Sequence, residues 1–179
     1  MNMILAVTKS GIIGIDNKIP WYIKADLQRF RELTSNHIVV MGRRTFESLP
    51  NGPLKNRINI VISKDQTKQT KQTPQCENVY FTTINKIDEL IEKIQDQEPM
   101  PKKKQVFIIG GAQVYNYFIN QTQKIYLTLI DKDIDGDTFL NTDFLTNVDS
   151  EFFIKNIDEQ QICPISNLPY TFIDYERKN

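Results

Sequence analysis

An acid, a flat aromatic ring and an apolar stripe fall together between Ile19 and Leu33, in the run Ile-Pro-Trp-Tyr-Ile-Lys-Ala-Asp-Leu-Gln-Arg-Phe-Arg-Glu-Leu. With a helix from Ala25 to Thr34, Asp26, Leu27, Phe30 and Leu33 lie three or four apart on one stripe that is apolar except for the carboxylate. An ionised carboxylate turned toward a core is costly unless something pairs with it. Asp26 therefore either meets a cation of the protein or faces a cavity where a ligand supplies the donors. Trp21 adds a large flat surface with one N–H donor, and Pro20 restrains the chain ahead of the helix. Such a set suits a flat, hydrogen-bonding heterocycle. The plain alternative is a first-turn aspartate that favours the helix N-terminus while facing water.

A second chemistry is suggested at two junctions, Met41-Gly42-Arg43-Arg44-Thr45 and Ile109-Gly110-Gly111-Ala112-Gln113. In each, a buried strand stops at glycine and the following helix presents its free N–H groups, a cradle for phosphate; glycines that merely end strands are the alternative. Neither junction has the three spaced glycines of the dinucleotide fingerprint, which counts against a Rossmann domain. Arg43, Arg44 and Lys64, with the Ser63 hydroxyl, suit a nucleotide carrying an extra phosphate on its ribose, unless they are solvated surface charges. Arg57 opens a buried strand, where its fork either takes a carboxylate in bidentate fashion or is an ordinary strand-end arginine.

The elements that must position these groups follow from hydrophobic period. Strands are expected at 3–8, 38–41, 58–62, 79–81, 106–109 and 124–130, as short unbroken apolar runs. Helices are expected at 25–34, 43–49, from Asn85 as N-cap through Ile94, and after Gly111, where Val114, Tyr115 and Phe118 mark an inner face. Ser10 to Lys18, with Gly11, Gly14 and Asp16-Asn17, is a glycine-bearing loop able to move. Residues 65–76 read as a solvated polar tract, 95–104 as a surface connection, and 131–138 as an acidic loop. Segments 152–157 and 170–175 read as a closing antiparallel pair. Strands alternating with helices, then this pair, predict an α/β fold with a mainly parallel sheet and an antiparallel C-terminal edge.

Composition narrows the function classes. The 179 residues are 40% hydrophobic and 25% charged, with 22 basic and 22 acidic side chains, the pattern of one globular domain over 1–179. Zero formal charge gives no general case for nucleic acid or membrane partners, so an anionic ligand needs a local cluster. Cys76 and Cys163 stand far apart, which suits reduced thiols in a cytoplasmic setting. One histidine, His37, and no cysteine pair at ligand spacing offer no set of ligands for a transition metal. The opening apolar run is too short for a signal peptide and no stretch suits a bilayer span.

The order of motifs resembles the dihydrofolate reductase family over most of the chain. The blocks are Ile13-Gly14-Ile15-Asp16-Asn17-Lys18-Ile19-Pro20-Trp21, Ala25-Asp26-Leu27-Gln28-Arg29-Phe30, and Met41 to Pro50. They continue with Pro53 to Ser63, Phe107 to Tyr115, Ile125 to Thr128, and Gly136-Asp137-Thr138. The resemblance implies a sheet of eight strands flanked by helices, reducing 7,8-dihydrofolate to tetrahydrofolate with NADPH, with antifolate inhibitors as further ligands to which Leu5 and Ile19 leave the sensitivity open; nothing in the chain demands more than a monomer. By position, Asp26 binds the pterin 2-amino group and N3, supported by Thr128, with Trp21 beside the proton path and Tyr115 near the nicotinamide. Leu5, Ala6, Leu27, Phe30, Ser48, Leu49, Leu54 and Ile109 border the substrate, and Arg57 holds its glutamate carboxylate. Gly42, Arg43, Arg44, Thr45, Ile62, Ser63 and Lys64 take the adenosine end of the cofactor. Gly110, Gly111, Ala112, Gln113 and Val114 take the pyrophosphate, with a cis peptide at Gly110-Gly111. Ala6, Ile13, Gly14, Asn17 and Ile19 lie by the nicotinamide, under a loop that Asp137 holds. Ala112 stands where a third glycine is frequent, Leu5 where a smaller residue is, and Phe46 where tryptophan is. Rival readings are a riboflavin-pathway reductase of the same fold and a non-catalytic pterin or nucleotide binding module.

Overall fold

Apolar runs without a polar face must be covered on both sides, and here they form the middle of a large sheet. The computed structural model describes residues 1–64, 78–97 and 103–178. The polar tract at 65–76 and the middle of the 95–104 connection lie outside these. In chain order the strands are β1 (Asn2–Thr8), β2 (Ile12–Gly14), β3 (Ile38–Gly42), β4 (Ile58–Ile62), β5 (Val79–Thr82), β6 (Val106–Ile108), β7 (Lys124–Ile130), β8 (Thr138–Phe139), β9 (Phe152–Ile157), β10 (Gln161–Ile162) and β11 (Pro169–Arg177). The α-helices are α1 (Lys24–Thr34), α2 (Arg43–Glu47), α3 (Ile87–Asp96), α4 (Ala112–Phe118) and α5 (Thr142–Glu151).

The sheet runs β10-β11-β7-β1-β6-β3-β4-β5, eight strands in hydrogen-bonded order, with β9 joining alongside β11. From β7 to β5 every pairing is parallel, whereas β11 runs antiparallel to β7, β9 and β10. The mainly parallel sheet with an antiparallel C-terminal edge is thus present. Alternate residues of each strand enter different layers. Met3, Leu5 and Val7 of β1 pack with Ile87 and Ile91 of α3, Val114 and Phe118 of α4, and Phe144 of α5. Ile4 of β1, Val39 and Met41 of β3 and Phe107 of β6 pack on the other side against Phe30 and Leu33 of α1 and Phe46 of α2.

This layering positions the site. β1, β6 and β3 are adjacent and parallel, and the helices leaving β3 and β6 go to opposite faces. Between them a crevice opens at the carboxyl ends of the strands, where open α/β sheets take their ligands.

The structure adds elements whose sequence signal is weak. β2 and β8 pair as a separate two-stranded ribbon, and α5 buries Phe144 and Val148 at a four-residue spacing amid polar neighbours. Its cap is Asn141, whose side chain accepts the Phe144 N–H at 2.8 Å. Asn85 is not a cap: a 3-10 turn at Ile84–Lys86 precedes α3, whose N-cap position is Lys86 with no side-chain bond.

Phe107 is 1% exposed, with ring centroids 5.7 Å from His37 and 6.1 Å from Tyr126. Replacing it with alanine should cost about 3–5 kcal/mol of stability, measured by urea unfolding.

Candidate active site

Asp26 sits in the first turn of α1, a helix whose start at Ile23 carries no side-chain cap. Ile23 is 1% exposed and packs with Trp21, Ala25 and Tyr170, which seats the helix start against the sheet and turns the Asp26 carboxylate toward the crevice. The Thr128 hydroxyl on β7 donates to Asp26 Oδ1 at 2.6 Å. Among the described residues Asp26 makes no ion pair. Burial pushes its carboxyl above the ordinary value, opposed by the Thr128 hydrogen bond and by the positive charge of Arg29. Burial thus outweighs the groups that favour the charged form.

Around Asp26 runs a cleft of about 2170 Å³. All the residues given above for substrate and cofactor line it, except that Thr128 lies behind Asp26, 1% exposed, and Trp21 is outside the lining. Trp21 packs against the buried cluster of Ile23, Ile130, Leu168 and Tyr170, and its Nε1–H is buried with no acceptor among the described residues. Leu27 is exposed and forms the cleft wall, whereas Phe30 sits half-buried between wall and core.

At one end, Arg57 donates from Nη1 to Thr34 Oγ1 at 3.0 Å and from Nε to the Lys55 carbonyl at 3.0 Å, its guanidinium over the Phe30 ring. Two of its five donors are thereby committed, and the fork is fixed rather than free. Burial and the nearby Arg31 charge lower its pKa. Arg31 also lines the cleft and was not singled out from the sequence, although it follows Leu27 by four residues on the same helix.

At the other end, glycines bring backbone close to backbone. The Gly42 N–H donates to the Gly110 carbonyl at 2.8 Å, and the Gly110–Gly111 peptide is cis. A Cβ on Gly110, which has φ +114°, would meet the Tyr115 ring at 3.2 Å, and one on Gly42 would meet Val114 at 3.3 Å. The Val114 and Tyr115 amides both return to the Gly111 carbonyl, which leaves the amides of Ala112 and Gln113 as orphan donors of the helix start. Arg43 is tied to Glu47 at 2.9 Å, whereas Arg44 and Lys64 make no ion pair among the described residues. Tyr115 is buried, its hydroxyl donating to the Ile4 carbonyl at 2.9 Å; burial, then the Asp26 charge, keep it protonated. Thr83, Ile84 and Asn85 extend the lining here, beyond what periodicity could reveal.

The loop across the mouth is held on two sides. Ile15 and Lys18 close a two-residue turn, with Asp16 and Asn17 at positive φ. Asp137 Oδ2 accepts the Asp16 N–H at 2.9 Å, and the Asn17 amide donates to the Arg44 carbonyl at 3.1 Å. Hydrogen bonds from Thr138 and from Asp16 hold the Asp137 carboxyl below its ordinary value. Gly136 allows the approach: a Cβ there would fall 2.3 Å from an Ile12 methyl and 2.8 Å from the Gly14 carbonyl.

A carboxylate at one wall, an arginine fork at one end and glycine-floored helix starts at the other give this α/β fold a cleft with the form of an enzyme site, suited to a flat ligand beside a phosphate-bearing one. Residues 1–177 match the dihydrofolate reductase family model, and the chain belongs to that family. A type 9 dihydrofolate reductase of Escherichia coli is 37% identical over 141 residues, 79% of this chain and 76% of that one. The dihydrofolate reductase of Bacillus subtilis is 31% identical over 179 residues, 100% of this chain and 95% of its own. Among solved structures, the dihydrofolate reductase of Enterococcus faecalis, complexed with NADP(H) and RAB-propyl, matches with a TM-score of 0.77 at 26% identity. That match covers 99% of this chain and 96% of the other.

The raised carboxyl of Asp26 has a consequence for stability. The folded protein holds that proton more tightly than the unfolded chain, so this contribution is complete below the ordinary carboxylate range and is lost as pH rises through the raised value. Asp26→Asn should therefore melt a few degrees higher than wild type at pH 7, the difference shrinking as the pH falls toward about 4; calorimetry across pH checks it.

Proposed function

We propose that the reduction of 7,8-dihydrofolate to 5,6,7,8-tetrahydrofolate by NADPH, the reaction of this family, takes place in this cleft with Asp26 as the acid beside the pterin. The observation that carries the reading is a half-buried carboxylate held by Thr128 and free of any ion pair among the described residues. Asp26 would accept the 2-amino and N3 hydrogens of the pterin. Its charge favours the pterin cation formed when N5 gains a proton from water, the path running past Trp21. Leu5, Ala6, Leu27, Phe30, Ser48, Leu49, Leu54 and Ile109 enclose the ring system and exclude solvent, and Arg57 takes the glutamate carboxylate.

The glycine-floored end fits a dinucleotide, because side chains at Gly42 and Gly110 would fill the space where backbone must approach it. NADPH supplies the hydride, from C4 of its nicotinamide to C6 of the pterin. Gly110, Gly111, Ala112, Gln113 and Val114 would hold the pyrophosphate; Gly42, Arg43, Arg44, Thr45, Ile62, Ser63 and Lys64 the adenosine ribose and its phosphate. Ala6, Ile13, Gly14, Asn17, Ile19 and Tyr115 would border the nicotinamide. Antifolate inhibitors compete for the pterin half.

We read 1–179 as one domain acting as a cytoplasmic monomer without nucleic acid, supplying tetrahydrofolate to one-carbon and thymidylate metabolism. Zero formal charge gives no general attraction to nucleic acid, and among the described residues no helix is long and apolar enough to cross a membrane.

Loss of NADPH absorbance on adding dihydrofolate tests the reading. Binding without turnover would favour a binding module, and turnover only of a riboflavin-pathway pyrimidine would favour the rival reductase. Asp26→Asn should lose most turnover at neutral pH while still binding NADPH; unchanged turnover removes the carboxylate from the mechanism. Replacing Arg43, Arg44 and Lys64 together should erode the preference for NADPH over NADH, most at low salt, and an unaltered ratio of kcat/KM values would misplace the phosphate site.

A further inference from the structure

Arg29, one turn after Asp26 on α1, is a largely buried cation. Its side chain is 18% exposed, its guanidinium lies 4.6 Å from the Phe172 ring centroid and 5.7 Å from that of Tyr126, and Nη2 donates to Asp174 of β11. Nη1 is buried with no partner among the described residues. The same stretch of ladder holds Asp26, because Phe172 pairs with Thr128 and Asp174 pairs with Tyr126. Acid and cation are thus fixed to two adjacent strands at neighbouring rungs, through a hydroxyl in one case and a carboxylate in the other.

We propose that Arg29 is a positioning residue for the Asp26 carboxylate, and that its counterion Asp174 sets how much positive charge Asp26 feels. This rests on the reading of Asp26 as the acid beside the pterin. A bare cation so close would satisfy Asp26 and weaken its hold on a pterin cation, whereas a neutralised one anchors α1 and leaves the carboxylate available. The direction of the Arg29 effect on the Asp26 carboxyl, downward against burial, agrees. Of the other groups near Asp26 among the described residues, the Thr128 hydroxyl on β7 contacts it, and the phenols of Tyr115 on α4 and Tyr170 on β11 feel its charge. Cys163, in the same buried cluster as Tyr170, has its thiol lowered to about 7, so a Cys163→Ala background removes a titration in the same range.

In that background the rate of hydride transfer, followed in single turnovers with NADPH and its C4-deuterated form, is measured from about pH 5 to pH 10. The rate falls as the pterin and Asp26 lose their shared proton. Arg29→Met should move the half-point of that fall up by about half a pH unit, and Asp174→Asn, which frees the guanidinium, should move it down by a similar amount. The double variant should return near the starting value, and Arg29→Lys should stay close to it. A purely structural pair would slow all variants without opposite shifts. Half-points that stay fixed, or move the same way, overturn the proposal. If Arg29→Met does not fold, Asp174→Asn decides alone, a fall supporting the proposal and a rise or no change defeating it. Asp26→Asn in the same assay keeps the two ideas apart: should it transfer hydride like wild type, the reading of Asp26 fails, whereas its loss beside unmoved pair variants sinks only the role of Arg29.

Discussion

A carboxylate in a half-buried cleft is an unfinished interaction, and the arrangement around Asp26 is built to keep it so. One hydroxyl, from Thr128, meets one oxygen at 2.6 Å, while Arg29, the cation within electrostatic reach, is bound to Asp174. Were Asp26 fully paired inside the protein, its charge would have little left for a ligand; with no hydroxyl behind it, burial would drive the group further toward neutrality. α1 sets this balance, since Ile23 pins its first turn while Phe30 and Leu33 fasten its inner face to the sheet.

The opposite end of the cleft depends on close packing of main chain rather than on charge. β3 and β6 are neighbours, and their glycine ends let the Gly42 amide reach the Gly110 carbonyl and let Thr45 stand close to Gly111. Around this floor the loop at Ile15–Lys18 is fastened both to Asp137 and to the Arg44 carbonyl of α2. The loop across the mouth of the cleft is therefore tied to the start of α2 through the side chain of Asn17.

Most of the large sheet was legible because Ile38 to Met41, Ile58 to Ile62 and Lys124 to Ile130 are long enough, and apolar enough, to have few alternatives. The ribbon of β2 and β8 was not, since two or three residues per strand carry no period, and its register depends on Gly136 making room for Ile12. Helix α5 shows only Phe144 and Val148 buried among its described side chains, too thin a stripe to stand out from a polar loop. At the site, Asp26 could be singled out as an acid on an apolar stripe, but its partner Thr128 is 102 residues away, and no local rule joins them. Arg57 was legible as a fork at a strand end, whereas its anchoring to Thr34 and the neighbouring Arg31 depend on how α1 lies across the sheet. Trp21 was read from the sequence as beside the chemistry, and what no local pattern reveals is that it packs against the cluster of Ile23, Ile130, Leu168 and Tyr170.

The three helices that border the cleft, α1, α2 and α4, begin without a side-chain cap, as α3 also does, whereas α5 has Asn141 accepting the Phe144 amide. At the cleft these starts present main-chain N–H groups that can donate to a bound anion or carbonyl. A ligand bound by the folded cleft and not by the unfolded chain adds to the stability of the fold by mass action, so a cofactor-bound molecule is expected to resist heat and proteolysis better.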